Sequence, residues 1–252
     1  VTRRSELYAT EPSPYLAAES KLTDLRSLVN LHSGVRVKSL GDSFTPNDLN
    51  KLQRDVMRYR GELLFAKAII LFEGVTEEQL APIFFEKYFG FSCYSVGINC
   101  ISVAGKNYPP FVKMACSLGI PAYIVSDNDG NTKTIIESQI ANIERDLSTG
   151  LTNDVFNVSF LNDGCDIESE LVNHVQIIDE LKSSLVKLAT NGNGNPQFID
   201  AKQREMEQLD TQNLLDRLEK DKSGYSGFLA GIIIDSSKNS EKLIPQAFIN
   251  AF

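Results

Sequence analysis

Ala68-Ile69-Ile70-Leu71-Phe72-Glu73-Gly74 is an apolar run that closes on a carboxylate and a glycine, and Ile124-Val125-Ser126-Asp127-Asn128-Asp129-Gly130 closes in the same way. Both are short, rich in β-branched residues and ended by turn formers, so both read as strands. In an open parallel α/β sheet the chemistry gathers in the crevice outside the carboxyl ends of the strands. Two strands therefore bring Glu73, Asp127 and Asp129 to one edge. Three acids converging there repel one another unless a divalent cation neutralises them, which predicts a magnesium-type site. Asn128, Gly130 and Asn131 favour a turn after the second strand, and a turn lets both aspartates swing toward Glu73.

Outward from these strands, the chain alternates strand and helix signals. Thr45, Pro46 and Asp48 form a capping-box start. A long helix follows, with Leu49, Leu52, Val56, Tyr59 and Leu63 on one stripe. After Gly74, Thr76 with Gln79 predicts a capped helix to about Phe89, with Leu80, Phe84 and Tyr88 on one face and a kink at Pro82. Extended segments are expected at Cys93–Val96 and Cys100–Val103, then Gly105-Lys106-Asn107, a helix at Phe111–Leu118, the strand Pro121–Ser126, a helix at Thr132–Asp146 and a strand at Val155–Leu161. This order implies a parallel sheet with helices on its faces.

From about Ile167 to Lys222 the pattern is helical only. Leu171, Val175, Ile178, Leu181, Leu185 and Leu188 form one face, and Met206, Leu209, Leu215 and Leu218 another, separated by the turn Asn191-Gly192-Asn193-Gly194-Asn195-Pro196. An apolar stretch at Phe228–Ile234 and a last amphipathic helix ending at Phe252 complete the chain. The first 44 residues carry little periodicity beyond a helix near Ala17–Leu31 and an extended stretch at Val35–Leu40. The expected organisation is an N-terminal segment and linker at 1–44, a catalytic core at 45–165, a helical insertion at 166–222 and C-terminal helices completing the core at 223–252.

Composition narrows the chemistry. The 252 residues, 42% hydrophobic, suffice for a substantial core. No apolar run approaches the ~20 residues that span a bilayer, and no signal peptide is apparent, so a cytoplasmic protein without membrane contact is expected. Cys93, Cys100, Cys116 and Cys165 lie at irregular spacings and read as free, mostly buried thiols. The histidine supply is His32 and His174, which argues against an H-E-x-x-H protease or a His-based triad. A net charge of −8 is unusual for a protein that binds nucleic acid, although divalent ions on an acidic cluster reverse the local sign. Any basic track must be local, as at Arg54, Arg58 and Arg60, or Arg3, Arg4, Arg36 and Lys38.

A Glu-Gly strand end followed by a strand ending Asp-x-Asp resembles the Toprim domain of topoisomerases, bacterial primases and recombination factors. The stretch from Arg60 to Glu77, with Glu73-Gly74-Val75-Thr76-Glu77 at its end, is similar to the OLD (overcoming lysogenization defect) family nucleases, in which a Toprim region follows an ABC-type ATPase. The resemblance covers about Leu49–Leu161 well and the C-terminal third weakly. It implies an α/β fold, a Toprim-type parallel sheet flanked by helices with an inserted all-helical subdomain, and a metal-dependent DNA endonuclease or nickase. Carried onto this sequence, it gives Glu73, Glu77, Asp127, Asp129, Asp166 and Glu168 as ligands of two divalent ions, Mg²⁺ or Mn²⁺. Glu73 and Asp127 also act in catalysis, with a transition-state lysine at Lys242 or, as second choice, Lys238. The chain starts at Val1 and has no G-x-x-x-x-G-K-[ST], so an ABC-type ATPase domain absent from this chain is the expected N-terminal partner, and DNA the expected ligand. Two alternatives use the same residues. One is a Rossmann-like Mg²⁺-dependent phosphatase or phosphotransferase, which would normally carry an aspartate where Glu73 stands. The other is a non-catalytic Toprim-derived interaction module.

Overall fold

The computed structural model describes residues 19–31, 34–40, 44–147, 155–221 and 223–252. It opens on an antiparallel hairpin, β1 (Ser27–Leu31) and β2 (Gly34–Lys38), paired from Ser27↔Lys38 to Leu31↔Gly34. The helix expected near Ala17–Leu31 is therefore not formed over the described part of that range. Leu22–Asp24 make one 3-10 turn, and the alternating Leu28, Val35 and Val37 suit a pleated strand instead. His32, Arg3 and Arg4 lie outside the described residues.

Thr45 caps α1 (Pro46–Leu52) as its sequence predicts. The Asp48 amide donates to Thr45 Oγ1 at 3.1 Å and the Thr45 amide donates to Asp48 Oδ2 at 3.0 Å. The long helix to Leu63 breaks, however, into a π-turn at Gln53–Met57 and a 3-10 turn at Gly61–Phe65. Each change of pitch rotates the stripe. Leu52, Val56 and Leu63 stay buried, whereas Tyr59 is turned out to 77% exposure.

The sheet follows as β3 (Ala68–Phe72), α2 (Val75–Phe89), β4 (Ile98–Ser102), α3 (Pro109–Leu118), β5 (Ala122–Ser126), α4 (Thr132–Leu147) and β6 (Phe156–Phe160). Its four strands are parallel in the order β4-β3-β5-β6. Successive side chains point to opposite faces. Ile70 and Phe72 accordingly enter one core with α2 and the C-terminal helices, while Ile69 and Leu71 enter another with α1, α3 and α4. The β3-to-β4 crossover runs one way along the sheet and the next two run the other. Right-handed connections thus place α2 on one face and α3 and α4 on the opposite one.

Two local expectations change. Cys93–Val96 is a 3-10 turn closed by left-handed Gly97 rather than a strand. The start of α2 is capped at Gly74, not Thr76, because the Glu77 carboxylate folds back onto the Gly74 amide. Pro82 sits within α2 without ending it; the burial of Leu80, Ala81, Phe84 and Phe85 around it holds the helix together. Tyr88, expected on that face, is partly exposed at the far end of the helix.

Beyond β6 come α5 (Ile167–Asn173), a 3-10 turn at Val175–Ile177, α6 (Ile178–Thr190), α7 (Pro196–Glu207), α8 (Thr211–Asp221), α9 (Ser223–Asp235), α10 (Ser240–Leu243) and α11 (Gln246–Ala251). The apolar stretch Phe228–Ile234 lies inside α9, which packs on α2 and α6. Leu171, Leu181, Leu185, Met206 and Leu218 are buried as their periodicity predicts, but Val175 is 78% exposed because the 3-10 turn shifts it off the stripe. Pro245 divides the last helix into α10 and α11. From α11, Phe248 stacks on Phe72 at 5.9 Å and meets the edge of Phe84 at 5.0 Å, so the end of the chain packs directly on the sheet. Cys93, Cys100, Cys116 and Cys165 are free thiols, and three of the four are buried.

Candidate functional site

The order β4-β3-β5-β6 fixes where a crevice can open. After β3 the chain leaves toward β4, and after β5 it leaves toward β6, so the carboxyl ends of β3 and β5 flank the point where connections diverge. Glu73 follows β3 and Asp127 follows β5. Sheet pairing continues just past both: the Val103 amide donates to Phe72 O at 2.9 Å and the Leu161 amide to Ser126 O at 2.9 Å.

Glu73 is held through its backbone, whose carbonyl accepts from the Gly105 amide at 2.9 Å and Ser102 Oγ at 3.0 Å. Its Oε2 is buried without a hydrogen-bond partner. Burial lifts its pKa, as does Asp129, while Lys106 acts in the opposite sense. Glu77, one turn into α2 and 4% exposed, accepts from the Gly74 amide at 3.2 Å. A Cβ at Gly74 would lie 2.8 Å from Glu77 Oε2, so the glycine of the Glu-Gly pair makes room for the second carboxylate. Burial, with Glu168 and Glu73 nearby, raises Glu77 to about 7.

Asp127 is strongly perturbed. Its Oδ1 is buried and unpartnered, and its pKa is pushed to about 8 by burial and then by Glu77, Glu73, Asp166 and Asp129. Asp129 behaves oppositely. The Thr132 hydroxyl donates to Asp129 Oδ1, and Lys106 Nζ donates to the same oxygen at 3.4 Å and to Thr132 Oγ1. These donors hold Asp129 below the usual carboxylate range.

Asp166 and Glu168 arrive at the start of α5, just after the neighbouring loop. Asp166 caps α5, its Oδ1 accepting from the Ser169 amide at 2.9 Å, and Tyr225 from α9 donates to Glu168 Oε1 at 3.3 Å. Asn128 ties this loop to the β5 end. Its amide donates to Cys165 O at 2.8 Å, its carbonyl accepts from the Gly164 amide at 3.0 Å, and Nδ2 donates to Leu161 O at 3.1 Å. The turn expected at Asn128 is thus a three-point clamp between two strand ends.

The six acids are therefore linked through one sheet edge, Asp127 to Glu77, Glu73, Asp166 and Asp129, and Glu77 in turn to Glu168. Among the described residues no three His, Cys, Asp or Glu side chains are already gathered at ion-ligating range. The donors nevertheless suit a hard divalent cation: they are carboxylate oxygens, two of them buried and unpartnered, in a cluster whose charges are costly side by side.

The two lysines singled out in the sequence are placed differently from these acids. Lys238 Nζ is engaged by Glu180 at 2.8 Å, Asp179 at 3.6 Å and Gln176 O at 2.9 Å. Lys242 is exposed on α10, where His174 Nε2 meets its carbonyl at 2.7 Å. That contact gives His174 a structural role at the α10 junction. Residues that sequence reading passed over as site members are Lys106, Thr132, Tyr225 and the side chain of Asn128. Lys106 had a readable signal, since Gly105-Lys106-Asn107 follows a strand on the same edge; Tyr225 had none, because its approach to Glu168 depends on helix packing.

Residues 64–129 match the family model of the TOPRIM domain of overcoming lysogenization defect protein-like proteins. The C-terminal region of the Xanthomonas campestris pv. campestris OLD protein, in its platinum-phased structure, superposes with a TM-score of 0.51 at 20% identity, over 75% of this chain and 92% of that one. The C-terminal region of the Burkholderia pseudomallei OLD protein gives 0.51 at 20% identity, over 74% and 95%. At these identities the likeness concerns the fold. No curated protein sequence is significantly similar to the chain.

Proposed function

We propose, from the premise that residues 64–129 are an OLD-like TOPRIM domain, that this protein is a metal-dependent DNA endonuclease or nickase. The observation that carries the reading is the pair of buried, unpartnered oxygens, Glu73 Oε2 and Asp127 Oδ1, at the diverging strand ends. Glu73 and Asp127 would hold a divalent cation between them, with Glu77, Asp129, Asp166 and Glu168 supplying the remaining oxygens for up to two ions. When bound, Mg²⁺ or Mn²⁺ supplies Lewis-acid polarisation of a phosphodiester and neutralises charge on the oxygens that enter and leave.

The protein's own contribution is preorganisation. Gly74 and the α2 amide fix Glu77, Tyr225 fixes Glu168, Ser169 fixes Asp166, and Thr132 with Lys106 fixes Asp129. Glu77, Asp129, Asp166 and Glu168 thus each have one carboxylate oxygen held in place. Lys242, exposed on α10, is the lysine proposed from family resemblance to offset transition-state charge. The matched structures are C-terminal regions of OLD proteins, which supports reading this chain as a nuclease part that works with an N-terminal ATPase domain. Among the described residues no helix is long and apolar enough to cross a membrane.

Incubation of supercoiled plasmid with Mg²⁺, Mn²⁺, Ca²⁺ or EDTA tests the proposal. Open-circle product should form with Mg²⁺ or Mn²⁺, vanish with EDTA, and fall by about 100-fold or more in Glu73→Gln and Asp127→Asn. Equal cutting by the variants would refute it.

A further inference from the structure

We propose that Lys106 is the phosphate-binding cation of this site, held beside Asp129 until the acids are loaded and then directed to a DNA phosphate. The inference rests on the nuclease reading for the identity of its ligand, but not for the geometry.

Three observations support it. Lys106 stands in the loop after β4, at the same carboxyl edge as Glu73, and that loop is held in an unusual conformation. Ala104 has φ 55° and Gly105 φ 110°. A non-glycine residue in the left-handed region costs about 1–2 kcal/mol, and such conformations persist where surrounding contacts over-determine them. Here they do: the Gly105 amide donates to Glu73 O at 2.9 Å, the Ala104 amide to Ser102 Oγ at 3.1 Å, and Gln139 Nε2 to Lys106 O at 2.7 Å. The lysine backbone is thus pinned to the site from both sides.

The side chain is aimed inward but remains reachable. Lys106 Nζ contacts Asp129 and Thr132 while its side chain keeps 32% exposure, so a ligand entering from solvent meets it. The third observation is charge. Six carboxylates outweigh two divalent ions, so a loaded edge still repels a polyanion on a chain of net charge −8. Of the other basic residues singled out in the sequence, Lys238 is committed to Glu180 and Asp179, Arg60 to Glu78, and Arg54 to Asp55. A divalent ion on Asp129 would draw that carboxylate's charge away from Lys106, and an ammonium is a compact partner for phosphate.

The competing role is a strut that merely neutralises Asp129. Binding of a fluorescein-labelled duplex to the full chain, followed by anisotropy in saturating Ca²⁺ across a salt series, separates the two. So does calorimetric Mn²⁺ binding without DNA. Lys106→Met and Lys106→Gln should weaken DNA binding by about tenfold and reduce the slope of log K against log salt by roughly 1, with Lys106→Arg keeping the slope. Mn²⁺ binding should be unchanged or tighter, since a competitor for Asp129 is gone. Lys106→Gln retains a donor for Asp129 and reports even where the methionine variant folds poorly. An unchanged slope, or a loss of Mn²⁺ affinity in both neutral variants, overturns the proposal. A wild type that binds DNA but never nicks plasmid ends the nuclease reading and leaves Lys106 to the slope. One that nicks while the variants keep the slope ends only the Lys106 assignment, and one that binds no DNA ends both.

Discussion

Asp127 illustrates how position sets the character of a residue. An ordinary aspartate titrates near 3.8, yet here burial and four neighbouring acids move it to about 8, and Glu77 goes from 4.5 to about 7. The folded chain therefore binds more protons than the unfolded chain between about pH 4 and pH 8. This contribution to stability is complete below the unfolded values and is lost as pH rises through the folded ones. In EDTA the melting temperature should drop between pH 6 and pH 8.5, on the order of 5 °C, and adding Mn²⁺ at pH 8.5 should recover it. Asp127→Asn should flatten the EDTA profile and respond less to Mn²⁺. A profile that rises over this range would show that the cluster is not strained by its charge. The type of each acid was legible in the sequence, but its ionisation was not, because desolvation depends on what covers it.

At the level of elements, the site is a set of strand ends held in register by partners from elsewhere. Asn128 joins the ends of β5 and β6, and α9 reaches Glu168 through the Tyr225 hydroxyl. Partners of metal ligands commonly matter almost as much as the ligands. Tyr225→Phe should keep the fold, with a stability loss of about 1–2 kcal/mol by denaturant titration, yet lower Mn²⁺ affinity about tenfold by calorimetry. Unaltered Mn²⁺ affinity would mean that Glu168 is not a ligand. Several strands and helices were readable from local pattern: Thr45-Pro46-Asp48 gave its capping box, and the apolar run Phe111–Leu118 its helix. The failures also have local causes. The stripe through Tyr59 assumed constant helical pitch, and Thr76 looked like a cap because threonine is a stronger N-cap type than glycine, although Glu77, three residues on, closes the box on the Gly74 amide.

Across the whole molecule, one apolar cluster runs from Phe72 and Phe84 through Leu171, Leu181 and Met206 to Leu229 and Phe248. The C-terminal helices are consequently part of what supports the β3 strand end, with Phe248 stacked on Phe72 next to Glu73 in the chain. Phe248→Ala should cost about 3–5 kcal/mol in chemical denaturation and depress plasmid nicking together with stability. A stable variant would show that α11 is dispensable to the core. By itself the sequence determined the four segments that form the parallel sheet, that two of them end in acids, and that the order of strand and helix makes the sheet parallel; these follow from residue periodicity and turn chemistry, which act over a few neighbours. Only the tertiary structure decided that Asp166 and Glu168 join those acids, that Lys106 and Tyr225 attend them, and that Lys238 is occupied elsewhere. Such proximities come from crossover handedness and from burial shared between distant segments, and no short stretch of chain encodes them.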